Sequence, residues 1–279
     1  SDGEAVDRIV LLSDGRANLG ITDPDELSSL VSAWTERGFS VSTLGLGLDF
    51  NEDLLASLAD RGAGSYHFVD DPSELQALFQ DELHRAQALA AGAVAVTLVP
   101  APGVEIVEVL GYESAPRGGG ERVLVGDLHA SQSRKVVARV RIDPSTVGSR
   151  DVLSVQISQR DAPSTALELD ARVHDDAAVV AASVNVEIAA LAAEAEAAVL
   201  SQQATMAFER GDTQRMRRLV TQSLERASSA ASAYDNAKLR AMESSLEERF
   251  STMEVAKPGS AEALYQVKRA KEADRNAAY

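Results

Sequence analysis

An apolar run that stops on an acidic turn, Arg8-Ile9-Val10-Leu11-Leu12-Ser13-Asp14-Gly15, constrains this chain more than any other stretch. Four consecutive apolar residues suit a parallel strand buried on both faces. In an open parallel sheet, ligands bind just beyond the carboxyl ends of the strands. Asp14 therefore falls where such a sheet places its chemistry. Its carboxylate is a hard oxygen donor suited to Mg²⁺ or Ca²⁺, and Gly15 permits a sharp turn behind it. The same residues also suit a plain turn in which Asp14 bonds only nearby backbone.

The next eighty residues repeat one grammar. Asp23-Pro24-Asp25-Glu26 opens a helix, with Asp23 as N-cap and Pro24 at the first helical position. Leu27, Leu30, Val31 and Trp34 recur at helical spacing, and Gly38 ends the run. Phe39 to Leu48 reads as the second strand. Asn51 caps a helix with the stripe Leu54, Leu55, Leu58, and Tyr66 to Val69 is a third strand. Asp71-Pro72-Ser73-Glu74 opens a last helix expected to bury Leu75, Leu78, Phe79 and Leu83. Strands alternating with helices predict right-handed crossovers and a parallel sheet. Three strands are few for a sheet whose first strand is wholly apolar, so a front half of the fold is expected to precede Ser1.

Taken together, Ile9–Gly15, Asn18-Leu19-Gly20, Thr43–Gly47, Asn51–Leu55 and Gly64–Val69 resemble the second half of a bacterial von Willebrand factor type A domain. That resemblance implies a metal-ion-dependent adhesion site on top of the sheet. There Mg²⁺ completes its shell with an acidic group from a partner protein. It makes Asp14 the third contributor of metal ligands; Ser13, Gly15, Asn18 and Asp49, read from their own positions, fall on the rim of that site, Ser13 first as a turn residue. Asp49 and Asn18 read first as turn residues. The family's other contributors, an Asp-x-Ser-x-Ser run and a Thr, would lie upstream of Ser1. The site expected within these residues is therefore incomplete.

From Ala93 the pattern turns to alternation. About six strands, at Val94–Leu98, Val104–Val109, Arg122–Val125, Val136–Ile142, Val152–Ile157 and Ala166–Val173, predict an antiparallel β-sandwich. From Ala177 an Ala-rich region predicts one helix to Arg210, a turn at Gly211-Asp212 and a second helix from Thr213 to Met253 with a break near Ser228–Ser232. A last helix is capped by Ser260. Arg215, Arg217 and Arg218 form a basic cluster that suits a solvated helix face better than an acidic-partner site. The expected architecture is multidomain: part of a doubly wound α/β sheet over 1–92, an all-β sandwich over 93–176, and an α-helical hairpin over 177–279.

Charge narrows the function. The net charge is −16, and residues 1–92 hold 17 acids against 5 bases. Such an acidic segment argues against a nucleic-acid ligand, which demands a basic face. The chain has no cysteine, hence neither disulfides nor thiolate metal sites. No apolar run reaches membrane-spanning length. Gly-x-Ser-x-Gly is absent, and His67, His84, His129 and His174 lack paired ligand spacing, so an enzyme is not expected. The leading expectation is a non-enzymatic protein-binding module of an exported or cell-surface bacterial protein. The alternatives are a receiver-like domain phosphorylated on Asp14, although residues 39–69 contain no Lys for such a site, and a structural scaffold without metal.

Overall fold

A computed structural model describes residues 7–15, 19–130, 132–143, 147–160, 162–257 and 259–278, without the side chains of 85–87 and 275–278. The chain forms two compact units. The first contains Ser1–Val99, Glu113–Arg134 and Val155–Leu167; the second contains Pro100–Tyr112, Lys135–Ser154 and Glu168–Tyr279. The β-rich stretch is thus shared between units.

In the first unit, β1 (Arg8–Ser13), β2 (Ser40–Leu46) and β3 (Ala63–Val69) form a parallel sheet in that order. Arg8 lies opposite Ser40, and Ser13 opposite Gly45. The crossovers are α1 (Pro24–Glu36) and α2 (Glu52–Arg61). The Asp23 carboxylate accepts from the amides of Asp25 and Glu26, and the Asn51 side chain accepts from that of Leu54. These caps satisfy amides that a helix start leaves unpaired. Val31, Val41 and Leu58 form the core of this layer, with Ile9, Leu27, Trp34 and Leu54 against it.

Two expectations fail here. β1 is not buried on both faces: it is the edge of a three-stranded sheet, and Leu11 and Leu12 are 38% and 43% exposed. The last helix, α3 (Leu75–Gln87), follows a short 3-10 turn at Pro72–Glu74 and does not bury the stripe read from the sequence. Phe79 and Leu83 are exposed, whereas Glu82 is only 2% exposed. Leu75, Leu78 and Glu82 share one helical face, and charge partners beneath the helix draw that face inward.

Seven strands follow: β4 (Leu89–Pro100), β5 (Val104–Leu110), β6 (Ser114–Arg117), β7 (Gly120–His129), β8 (Val137–Ile142), β9 (Gly148–Gln159) and β10 (Ala162–Val173). Five of them form a sheet in the order β10-β9-β4-β7-β6, and β5 pairs with β8 separately. β6 is an addition to the six predicted strands, formed by a tight hairpin through Gly118 and Gly119, both at positive φ.

The helices of the second unit are more divided than expected. α4 (Ala177–Ala182) and α5 (Val186–Glu209) replace one long helix. The Asn185 side chain accepts from the Ile188 amide and starts α5 afresh. α6 (Thr213–Ala233) and α7 (Ala237–Val255) part at Asp235, which has positive φ, beyond the predicted Ser228–Ser232. α8 (Ala261–Ala278) starts where Ser260 caps the Ala263 amide. Instead of a hairpin, α5 to α8 share one core, where Phe208, Met216, Leu246, Phe250 and Val267 fill the space that alanines leave between close-packed helices. On the surface, Arg217 pairs with Glu254 at 3.2 Å.

Candidate functional site

Parallel strands deliver their carboxyl ends to one edge of the sheet. There β1 ends at Ser13, whose hydroxyl donates to the Gly15 carbonyl at 2.9 Å and closes the turn. Asp14 rides exposed on that turn, and Gly15 is half-buried behind it. Beyond β2, the Gly47 amide donates to the Val69 carbonyl at 2.9 Å, and Asp49 follows, exposed. Gly45 packs against the ring of Phe50, where an added Cβ would lie 2.2 Å from ring atoms. Beyond β3, Asp71 accepts from the Ser73 amide, and that bond holds its carboxyl below the usual range. Asn18 lies outside the described residues.

Topology therefore places Asp14, Asp49 and Asp71 along one edge. Among the described residues, however, no group of three His, Cys, Asp or Glu side chains is placed to hold a metal. One exposed carboxylate does not fit Mg²⁺, which demands near-octahedral oxygen coordination and gives up water reluctantly.

Sequence reading missed the strongest electrostatic feature of this unit. Arg8, at the start of β1, reaches Glu82 at 3.0 Å and Asp127 at 3.2 Å, and its Nε donates to the Ser40 hydroxyl. The Glu82 and Asp127 side chains are 3% and 1% exposed. The Ser42 hydroxyl donates to Glu82 Oε2 at 2.8 Å, while the Ala93 amide donates to Asp127 at 2.9 Å. His67 Nε2 lies 3.5 Å from Glu82 Oε1, too far for a well-formed hydrogen bond. Burial alone would raise the Glu82 pKa, but His67, Ser42 and the charge of Arg8 overcome it and hold the carboxyl at about 2. This cluster ties β1, β2, α3 and β7 together behind the sheet. The available signal was Glu82 itself, on the helical face of Leu75 and Leu78.

A cleft of about 510 Å³ lies in the second unit between β5, β8, α5 and α6. Its charges are largely internal: Arg139 bridges Glu108 at 2.7 Å and Glu196 at 2.6 Å, and Arg226 pairs with Glu196.

Two solved structures share the fold. The von Willebrand factor type A protein from Catenulispora acidiphila aligns over 92% of this chain and 60% of its own, with 20% identity and a TM-score of 0.63. The ArnB paralog VWA2 from Sulfolobus acidocaldarius aligns over 99% of this chain and 65% of its own, with 18% identity and a TM-score of 0.54. In sequence, the uncharacterized protein YfbK of Escherichia coli K12 is 37% identical over 81 residues, 29% of this chain and 14% of that protein. The uncharacterized protein sll0103 of Synechocystis is 28% identical over 171 residues, 58% of this chain and 40% of that protein. No protein-family model matches. The chain spans less than two thirds of each of these four relatives. Its fold is von Willebrand factor type A-like, α/β with parallel and antiparallel sheets and, among the described residues, eight α-helices.

Proposed function

We propose, from this von Willebrand factor type A-like fold, that the chain is the second half of such a domain with accessory β and helical modules. It works as a non-enzymatic protein-interaction module that meets its partner at the carboxyl edge of β1–β3. The observation that carries this reading is the state of β1. Its outer side has no neighbouring strand among the described residues, and Leu11 and Leu12 stand exposed beside the turn that presents Asp14. A strand this apolar normally lies inside a sheet, and an open apolar edge invites further strands. Strands added there would supply oxygen donors beside Asp14, which would then contribute one carboxylate to a Mg²⁺ site completed by an acidic group of the partner. No helix among the described residues is long and apolar enough to cross a membrane, and nucleic acid remains disfavoured by the charge of residues 1–92.

A scaffold role without metal is the competing reading, and the lone carboxylate at this edge favours it. The two separate when the natural full-length protein is used to capture its partner with and without Mg²⁺. The interaction reading expects Asp14→Ala, or removal of Mg²⁺ by a chelator, to reduce capture about tenfold or more. Equal capture by the variant and the parent, with no response to chelator, leaves the scaffold reading in its place.

A further inference from the structure

β10 (Ala162–Val173) closes one end of the five-stranded sheet, and its outer side has no neighbouring strand among the described residues. Natural edge strands are usually short, bulged or covered, because a free row of N–H and C=O groups invites pairing. β10 is 12 residues long, and residues 163–170 and Arg172 are all exposed. Side chains alternate along a strand, so Glu168, Asp170 and Arg172 share one face, and Leu169, Ala171 and Val173 share the other. The Ser154 hydroxyl donates to Glu168 at 2.8 Å, and that of Ser149 reaches Asp170 at 3.4 Å. Among the described residues, neither acid pairs with a cation and Arg172 pairs with no acid.

The order of these charges is self-complementary. Two copies joined edge to edge about a two-fold axis run antiparallel, and one residue must face its own copy. With Ala171 at the axis, Asp170 of each copy faces Arg172 of the other, Glu168 faces His174, and Leu169 faces Val173. An axis at Leu169 instead sets Glu168 against Asp170. An axis at Glu168, Asp170 or Arg172 sets that residue against itself. Opposite charges directly across a strand pair stabilise it, and like charges destabilise it, so the register about Ala171 satisfies all three charges where these neighbouring registers do not. The same count carries Asp175 of each copy to the level of Leu167 in the other. That brings the start of α4, whose Val179 and Val180 are about half exposed, to the stretch where Leu167 and Leu169 are equally exposed.

We propose that the outer edge of β10 is a dimer interface, on which a second copy of this chain lays its own β10 antiparallel about Ala171. Main-chain hydrogen bonds across the seam supply the general attraction, and the charges of residues 168–174 select the copy and its register. The interface uses none of the residues around Asp14 and does not depend on metal.

Sedimentation equilibrium at micromolar concentrations, on residues 1–279 and on the natural full-length protein, tests it. The expected result is a monomer–dimer equilibrium in both, weakened by added NaCl. Asp170→Arg and Arg172→Glu, both at exposed positions, should each raise the dimer Kd about tenfold or more, because like charges then face each other twice across the axis. Mixing the two variants should restore pairing as a heterodimer, since each carries the charge that the other's substitution requires at both crossings. A variant that had merely misfolded would gain nothing from mixing. Monomer at every concentration, a dimer indifferent to both variants, no recovery on mixing, or a dimer of residues 1–279 that the full-length protein does not form would overturn the proposal.

Discussion

Glu82→Gln is expected to lower the stability of the first unit by about 3–5 kcal/mol, the usual cost of breaking a buried ion pair by removing one partner. The glutamine keeps the volume of the side chain but leaves Arg8 with one buried carboxylate instead of two. It also weakens the bond from Ser42. Urea unfolding of the parent, Glu82→Gln, Arg8→Met and the double variant measures the coupling. The double variant should be less destabilised than the sum of the singles, because neither charge is then stranded by loss of the other. Acid gives an independent check. The folded carboxyl is held at about 2 against an ordinary value of 4.5, so its stabilisation is fully present above about 4.5. It is lost as pH falls from there toward 2. The stability gap between parent and Glu82→Gln should shrink across that window. A gap independent of pH would mean that Glu82 contributes by packing alone.

The second large effect is expected at Gly64. A Cβ placed there would lie 2.2 Å from the Val41 carbonyl oxygen and 2.8 Å from the Ser42 amide nitrogen. Both are backbone atoms of the central strand, so no side chain can swing aside. Here the pairing of β2 with β3 shifts register, between Val41–Ala63 and Thr43–Tyr66, and Ala63 takes a φ of 56°. Gly64→Ala must push β3 away from β2, at a cost of about 3 kcal/mol, the upper end for an overpacked site. Because Ser42 sits at the same point, the hydroxyl bond to Glu82 should weaken as well. Hydrogen exchange at the amides of β2 and β3 would report it. Unchanged protection together with an unchanged urea midpoint would show that the sheet absorbs the methyl group freely.

Much of this architecture was legible in the residues. Asp23, Asn51 and Asp71 announced their turns because a short polar side chain placed before an apolar periodic run has one obvious use. The parallel order of three strands followed from the alternation. Where reading failed, a tertiary partner had overridden a local rule. Leu83 looked like core, because periodicity cannot foresee that Arg8, 74 residues away in sequence, draws the Glu82 carboxylate under the helix. The Ala-rich region hid the break at Asn185 and shifted the expected one from Asp235 to Ser228–Ser232, because alanine carries no phase with which to see a helix end. At the candidate edge, Asp14 and Asp49 were readable as carboxylates past strand ends, whereas Asp71 read only as a helix opener. Asp71 reaches the same edge through the pairing of β3 with β2.

Under the proposed function, Asp14 is one ligand of a cation-dependent interaction edge. Isothermal titration with Mg²⁺ tests it most directly, on residues 1–279, on the natural full-length protein and on its Asp14→Ala variant. The expected result is no uptake by residues 1–279 at millimolar Mg²⁺, one site in the full-length protein, and at least about tenfold weaker binding in the variant. Identical isotherms for the full-length protein and its Asp14→Ala variant would contradict it.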